Sequence, residues 1–383
     1  MKIYMLGPTW PYRGGISHYT TLLFRALKKE HSVTLGAVKR QYPMWLYPGQ
    51  TDKDLSQVKL AEPGVDYLLD SMNPLSWFRV IRHIHKHRPD VVIIPWWVSF
   101  WTLPYWVICA GIKTMKTPKI VFICHNVVEH ESSRIGQFCT RLVLRMGDYF
   151  VAHSKEVRES LLYLVPGAKV LVRAHPSYDF FKSDSGRREQ ERLRLGFAPE
   201  HIVLMFFGFV RKYKGVPVLL TAMKTLAAEH PNIRLLLAGE AWHEEEDIIQ
   251  KQIAEFGLHS VVIRKNEYIV NEEVEKLYTA ADIAVFPYTS ATGSGALQVA
   301  LAMEKPVIAS NLSCFAEIVS DGETGFLTLP GDAEALVNAV NKFLINGALN
   351  TALVGKMHWQ IMELNKKYSW DGMAAAITGL IEK

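Results

Sequence analysis

Short apolar runs alternate with amphipathic stretches along almost the whole chain. In the first half the runs are Ile3–Leu6, Val33–Gly36, Val91–Ile94, Ile120–Cys124, Tyr149–Ala152 and Val170–Val172. In the second half they are Ile202–Phe207, Ile233–Ala238, Val261–Ile263, Ile283–Phe286, Val307–Ala309 and Gly325–Thr328. Short continuous apolarity marks strands covered on both faces. Helices fit between them. One begins at Asn73-Pro74, an N-cap followed by Pro at the first helical position, and stops before Pro89. Strand–helix alternation predicts parallel sheets with right-handed crossovers, and two sets of about six strands predict two doubly wound α/β domains. The segment Phe181–Pro199 is polar, densely charged and without strand pattern, so it reads as the link. The expected domains are 1–180 and 181–368, with a last helix over 369–383 that returns to the first domain.

Composition divides the chain at the same place. Residues 1–180 hold 23 Lys+Arg against 13 Asp+Glu, a balance of +10, and residues 181–383 hold 20 against 25, a balance of −5. Seven of the ten Trp also lie in the first half: Trp10, Trp45, Trp77, Trp96, Trp97, Trp101 and Trp106. With 49% hydrophobic and 21% charged residues the chain is neither disordered nor fibrous nor a disulfide scaffold. Cys109, Cys124, Cys139 and Cys314 show no metal-ligand spacing and are expected to be free thiols. The N-terminus reaches Gly-Pro after six residues, so no export signal is expected and the location reads as cytoplasmic. Val91–Ile112 carries no charge, but Pro95 and Pro104 interrupt it. It reads as strand, Trp-rich loop and helix rather than as a span. The basic, Trp-bearing half instead suggests a peripheral contact at the inner face of a membrane.

Ligands of open parallel sheets sit at the carboxyl ends of strands, where helix N-termini offer N–H groups. Four strand-to-helix turns qualify. The first holds Arg13, Gly14 and Gly15, whose small residues suit close approach of an anion or a plain tight turn. The second places His125 directly after a strand, as a site residue or a hydrogen-bonded structural one. Its neighbours Glu129, His130 and Glu131 match no standard metal spacing. The third, Gly208–Gly215, crowds Arg211, Lys212 and Lys214 onto one strand exit, where a bound anion relieves their repulsion. A solvated basic loop reads the same way. The fourth runs through Thr292, Gly293 and Ser294 into Gly295-Ala296-Leu297-Gln298, a capped helix start that makes an anion nest without the P-loop ending. The run His83, His85, His87 alternates on a helix and is not expected to share one face.

With these turns in place, the chain resembles the family 4, group 1 glycosyltransferases of the GT-B fold. The carrying segments are GPTWPYRGGISHYT, FICHNVVEHE, VAHS, VRAHPSYDFF, FFGFVRKYKGV, LLLAGE, YTAADIAVFPYTSATGSGALQVALAMEKPVIAS and DGETGFLTLPGD, in the family's order from residue 2 to residue 332. The resemblance implies two Rossmann-like domains facing a central cleft, an N-terminal one for the acceptor and a C-terminal one for a nucleotide-diphosphate sugar. It implies hexosyl transfer with retained anomeric configuration, no cofactor and no metal. Arg211 and Lys214 would then hold the diphosphate as it leaves, with Gly14 and Gly15 approaching the same phosphates. His125 would lie near the transferred sugar, and Thr292 and Ser294 to Gln298 would line the sugar-nucleotide site.

The chain departs from the pattern at one place. The family's two Glu, eight positions apart, become Ala291 and Val299, and Glu304 replaces a usual Gly. Gln298 is the nearest candidate for the nucleotide ribose. The expected acceptor is lipid-linked or membrane-proximal, in cell-surface polysaccharide or glycolipid synthesis. A sugar-nucleotide epimerase of the same fold and a non-catalytic sugar-nucleotide-binding subunit are the alternatives. No nucleic-acid recognition motif is present.

Overall fold

The computed structural model describes residues 1–43, 51–115, 117–127, 134–182 and 187–382. Trp45, Glu129, His130 and Glu131 lie outside them. The chain divides into two compact units: Met1–Leu55, Lys59–His175 and Ser369–Lys383 form the first, Ser56–Val58 and Pro176–Tyr368 the second.

Unit 1 runs β1 (Lys2–Gly7), α1 (Gly15–Lys28), β2 (Ser32–Arg40), β3 (Asp66–Asp70), α2 (Pro74–His87), β4 (Val91–Trp96), α3 (Thr102–Lys113), β5 (Lys119–Cys124), α4 (Arg134–Leu144), β6 (Tyr149–Ala152), α5 (Lys155–Leu164) and β7 (Val170–Val172). Among the described residues these strands form one seven-stranded sheet of order β3-β2-β1-β4-β5-β6-β7, parallel throughout. The chain moves in one direction through β4, β5, β6 and β7, so right-handed crossovers place α2 to α5 on one face. The opposite turn into β2 places α1 on the other. Asn73 caps α2 through its side chain, which accepts from the Leu75 amide at 3.1 Å. The edge strand β3 was not visible in the sequence: DYLLD alternates burial instead of running apolar.

The tryptophans correct the sequence reading. Trp77, Trp96 and Trp101 are buried in the layer between the sheet and α2 to α4, where Trp101 stacks on Tyr105 at 5.2 Å. Their large rings fill core, and only Trp106 among the described ones of this cluster is exposed. His83 and His87 correct it too: four residues apart, they share a face, with ring centroids 4.3 Å apart.

Unit 2 runs α6 (Arg188–Arg194), β8 (Ile202–Phe207), α7 (Val216–Glu229), β9 (Ile233–Ala238), α8 (His243–Glu255), β10 (Val262–Lys265), α9 (Asn271–Ala280), β11 (Ile283–Phe286), α10 (Gly295–Ala302), β12 (Val307–Ser310), α11 (Ser313–Ala316), β13 (Gly325–Thr328), α12 (Ala333–Asn341), the short pair β14 (Leu344–Ile345) and β15 (Ala348–Leu349), and α13 (Thr351–Lys367). Its six-stranded parallel sheet has the order β10-β9-β8-β11-β12-β13. The strand β8 stands at the reversal of direction, where ligands of such sheets bind. The segment read as a link contains α6, anchored by the buried Arg192 on Asp282. After unit 2 the chain forms α14 (Trp370–Ile381), which packs on α1 within unit 1.

Candidate active site

In unit 2 the exit of β8 is built by close backbone packing. Gly208, at φ +112°, sits so that a Cβ there would lie 3.4 Å from Lys214 Nζ and 3.6 Å from the Ala296 Cβ. The basic turn and the start of α10 are therefore neighbours. Gly215 has φ +68°, and a Cβ would stand 1.9 Å from the Pro287 carbonyl oxygen. Only glycine lets the turn lie against the loop that follows β11. The Thr289 amide donates to the Tyr213 carbonyl at 2.7 Å and fixes the same pair of loops.

The two cations are held differently. Arg211 lies over the Trp242 ring, 3.0 Å from its centroid, and donates to the Val210 carbonyl at 3.2 Å. Aromatic stacking orients the guanidinium without neutralising it. Lys214 lies 5.4 Å from the Tyr288 ring centroid. Burial, reinforced by Arg211, pushes Lys214 down to about 7. An ammonium in that position gains from an anionic ligand.

At α10 Ser294 is the N-cap, its Oγ accepting from the Leu297 amide at 3.1 Å. The first-turn amides of Gly295 and Ala296 have no intrahelical acceptor, as at any helix start. Thr292 is half-buried beside them. Leu297 is buried, and its amide serves the cap. Gln298 is 0% exposed, with neither Oε1 nor Nε2 hydrogen-bonded among the described residues. As it stands it offers no surface to a ribose. Ala291 and Val299, at the family's Glu positions, are both buried apolar residues.

In unit 1 the carboxyl ends of β1 and β5 carry the other expected residues. Gly14, at φ +102°, is the N-cap of α1, which has no acid in its first turn and no side-chain cap. A Cβ at Gly14 or Gly15 would meet nothing within 4 Å, so this helix start faces open space that suits a phosphate. His125 follows β5, its amide donating to the Trp96 carbonyl at 2.9 Å. Burial first, then His153 and His175, keep its imidazole neutral, well below the usual histidine range.

His153, His175 and Tyr19 surround His125, Trp370 packs on Tyr19 and His175, and none of the four is marked by a sequence motif. The Tyr19 ring lies 4.6, 5.2 and 4.7 Å from His125, His153 and His175, and 5.1 Å from Trp370. The strand-exit rule that picked His125 applies equally to His153 and His175. What one sequence lacked was the adjacency of β5, β6 and β7.

The chain is similar to known proteins in sequence and fold. The model for Glycosyltransferase Family 4 matches residues 13–173, and the model for Glycosyl transferases group 1 matches residues 187–356. The D-inositol 3-phosphate glycosyltransferase of Streptomyces avermitilis is 29% identical over 316 residues, 76% of this chain and 65% of that protein. The lipopolysaccharide 1,2-N-acetylglucosaminetransferase of Salmonella typhimurium is 28% identical over 204 residues, covering 49% of this chain and 50% of its own. The chain thus spans less than two thirds of these relatives' length. Sucrose-phosphate synthase from Thermosynechococcus elongatus has the same fold at TM-score 0.75 and 18% identity, over 100% of this chain and 98% of that one. HepE from Anabaena, crystallised with UDP, also aligns at TM-score 0.75 and 18% identity, over 100% of each chain. Two parallel Rossmann-like sheets, a basic turn at the β8 exit and family matches from residue 13 to residue 356 agree: the chain belongs to the group 1, family 4 glycosyltransferases of the GT-B fold.

Proposed function

We propose that this protein moves a hexose from a nucleotide-diphosphate sugar, with retained anomeric configuration, to a lipid-linked acceptor at the cytoplasmic face of a membrane. The carrying observation is the β8 exit, where Arg211, Lys214 and the start of α10 converge. Breaking the sugar–phosphate bond leaves negative charge on the diphosphate and positive character on the sugar. Two oriented cations and two helix-start amides stabilise the departing charge without reorganising. This chemistry asks for no metal. A neutral His125 near the sugar accepts hydrogen bonds from hydroxyl groups. Relatives named for D-inositol 3-phosphate and for lipopolysaccharide, and a fold neighbour crystallised with UDP, support the substrate classes.

A surface of unit 1 supports the membrane part. Leu75 and Phe78 on α2, Leu103 on α3, and Ile135 and Phe138 on α4 are between 58% and 74% exposed, and Trp106 on α3 is 40% exposed. All lie in the first turns of three neighbouring helices on one sheet face, at the strand-carboxyl end. Arg79, Arg82, Lys86, Lys113, Arg141 and Arg145 are exposed further along the same helices or just past them. Phe78 and Arg82 are about 6 Å apart along the axis. An apolar belt followed by cations fits acyl chains and anionic headgroups in turn.

The transferase reading is tested by turnover with a panel of UDP-, GDP-, ADP- and TDP-sugars. Arg211→Ala and Lys214→Ala are each expected to lower transfer on the order of 10²–10³-fold. Full activity in both variants would remove the diphosphate assignment. The buried Ala291 and Val299 favour one second reading, a binding subunit without turnover. Calorimetric sugar-nucleotide binding with no transfer to any acceptor and no slow hydrolysis would favour it.

A further inference from the structure

Three neighbouring strands of unit 1 each lead into a histidine. Cys124 precedes His125, Ala152 precedes His153, and Val172 is followed by Arg173, Ala174 and His175. The register pairs Cys124 with Ala152 and Ala152 with Val172, so the three exits stand at one level of the sheet. The imidazoles converge. One ring nitrogen of each lies within 4.8 Å of one on each of the others. Ring centroids are separated by 5.2 Å (His125–His153), 4.9 Å (His153–His175) and 6.0 Å (His125–His175). An ion bound by three imidazoles at about 2.0–2.1 Å and tetrahedral angles puts ring centroids about 5 Å apart. The rings already stand near that spacing.

The proton arrangement fits as well. His153 Nδ1 is 3.1 Å from the Arg173 carbonyl oxygen. A carbonyl only accepts, so Nδ1 carries the proton and Nε2 presents its lone pair. That Nε2, on a side chain only 7% exposed, has no hydrogen-bond partner among the described residues, and neither has His125 Nε2. Leaving such groups bare is costly. A metal-ligating histidine commonly donates its other ring N–H to a carbonyl in this way. An all-nitrogen donor set selects zinc, copper, nickel or iron over magnesium and calcium. Tyr19 walls one side of the cluster, and Trp370 packs against Tyr19 and His175.

We propose that His125, His153 and His175 form a three-histidine site for a first-row transition ion, Zn²⁺ foremost, and that its occupation inhibits transfer by engaging the His125 lone pair. The inhibition, though not the site, rests on the placement of His125 beside the transferred sugar.

The test titrates the full-length, chelator-stripped protein with Co²⁺, followed by visible absorption, and with Zn²⁺, followed by calorimetry. The expected result is one ion per chain, with weak visible bands and no thiolate charge transfer. Affinity should fall roughly 100-fold in His153→Gln and in His175→Gln. UDP-induced thermal stabilisation reports that these variants fold. Absence of stoichiometric Co²⁺ uptake, thiolate bands, or wild-type affinity in both variants overturns the site. In the wild type, Zn²⁺ should suppress turnover and a chelator restore it. Turnover indifferent to a bound, histidine-dependent ion overturns the inhibitory part. Metal uptake is read without catalysis, so it stands or falls apart from the transferase reading.

Discussion

Lys214 is a cation placed where an empty site disfavours it. Its folded value of about 7 lies below the usual 10.5, so between these values the unfolded chain binds more protons. The group therefore costs stability at pH 7 and below, and that cost disappears as pH rises toward 10. Relative to Lys214→Met, the unliganded wild type should gain thermal stability between pH 7 and pH 9; parallel melting curves for the two proteins would refute this. A diphosphate must bring the proton with it above pH 7. Calorimetric affinity for UDP should consequently fall by up to about tenfold per pH unit there. Glu304 shows a second local compromise. It stands at φ +58°, where the family usually has Gly, and its carboxylate pairs with Lys182 and, at 3.2 Å, with His358. Left-handed backbone costs a non-glycine residue about 1–2 kcal/mol, and each half-exposed ion pair returns about 0–1 kcal/mol. Glu304→Ala keeps the strain and loses the pairs, whereas Glu304→Gly loses both. The Gly variant should be the more stable of the two by about 1 kcal/mol in urea unfolding.

The helix α6 shows how an element hides in a charged stretch. Asp282, at the start of β11's approach, accepts from Arg192 Nη2 at 2.6 Å, from the Val203 amide at 2.8 Å and from Arg188. Arg192 also donates to the Ala280, Pro199 and His201 carbonyls. Asp282→Asn leaves a buried guanidinium without its counter-charge and should cost about 3–5 kcal/mol; a loss below 1 kcal/mol in chemical unfolding would show that the cluster does not hold α6. RREQERLR has no apolar periodicity, because the residues it buries are the charged Glu191 and Arg192, so it reads as a linker. The same logic separates what was legible elsewhere. Strands such as Ile202–Phe207 and Ile233–Ala238 were visible because both faces are buried and every residue is apolar or nearly so. The edge strand β3 and the two-residue strands β14 and β15 carry too little apolar surface to register. The turn holding Arg211 and Lys214 was legible as a local motif. The histidine cluster was not, since its members follow three different strands and stand 28 and 22 residues apart in the chain.

At the scale of the molecule, the charge split has a structural partner. The basic half carries the exposed apolar belt on α2, α3 and α4, and no helix among the described residues is long and apolar enough to cross a membrane. Sedimentation with vesicles containing anionic lipid should carry the wild type down at low salt and release it as salt rises. Phe78→Glu with Phe138→Glu should abolish the pelleting while leaving turnover on a soluble acceptor intact. Equal pelleting of wild type and variant would exclude this face. Trp77, Trp96 and Trp101 are core residues, so exposure rather than tryptophan content marks this surface. The return of α14 to unit 1 sets the order in which the protein matures. Trp370, Met373 and Ile377 are buried against a unit whose strands are all made by residue 172. At about 5–20 residues per second, the ribosome takes roughly 10–40 s to cover the intervening stretch. The first unit to emerge is the last to be completed, and it waits with one flank of α1 and the wall beside Tyr19 uncovered while the second unit is synthesised.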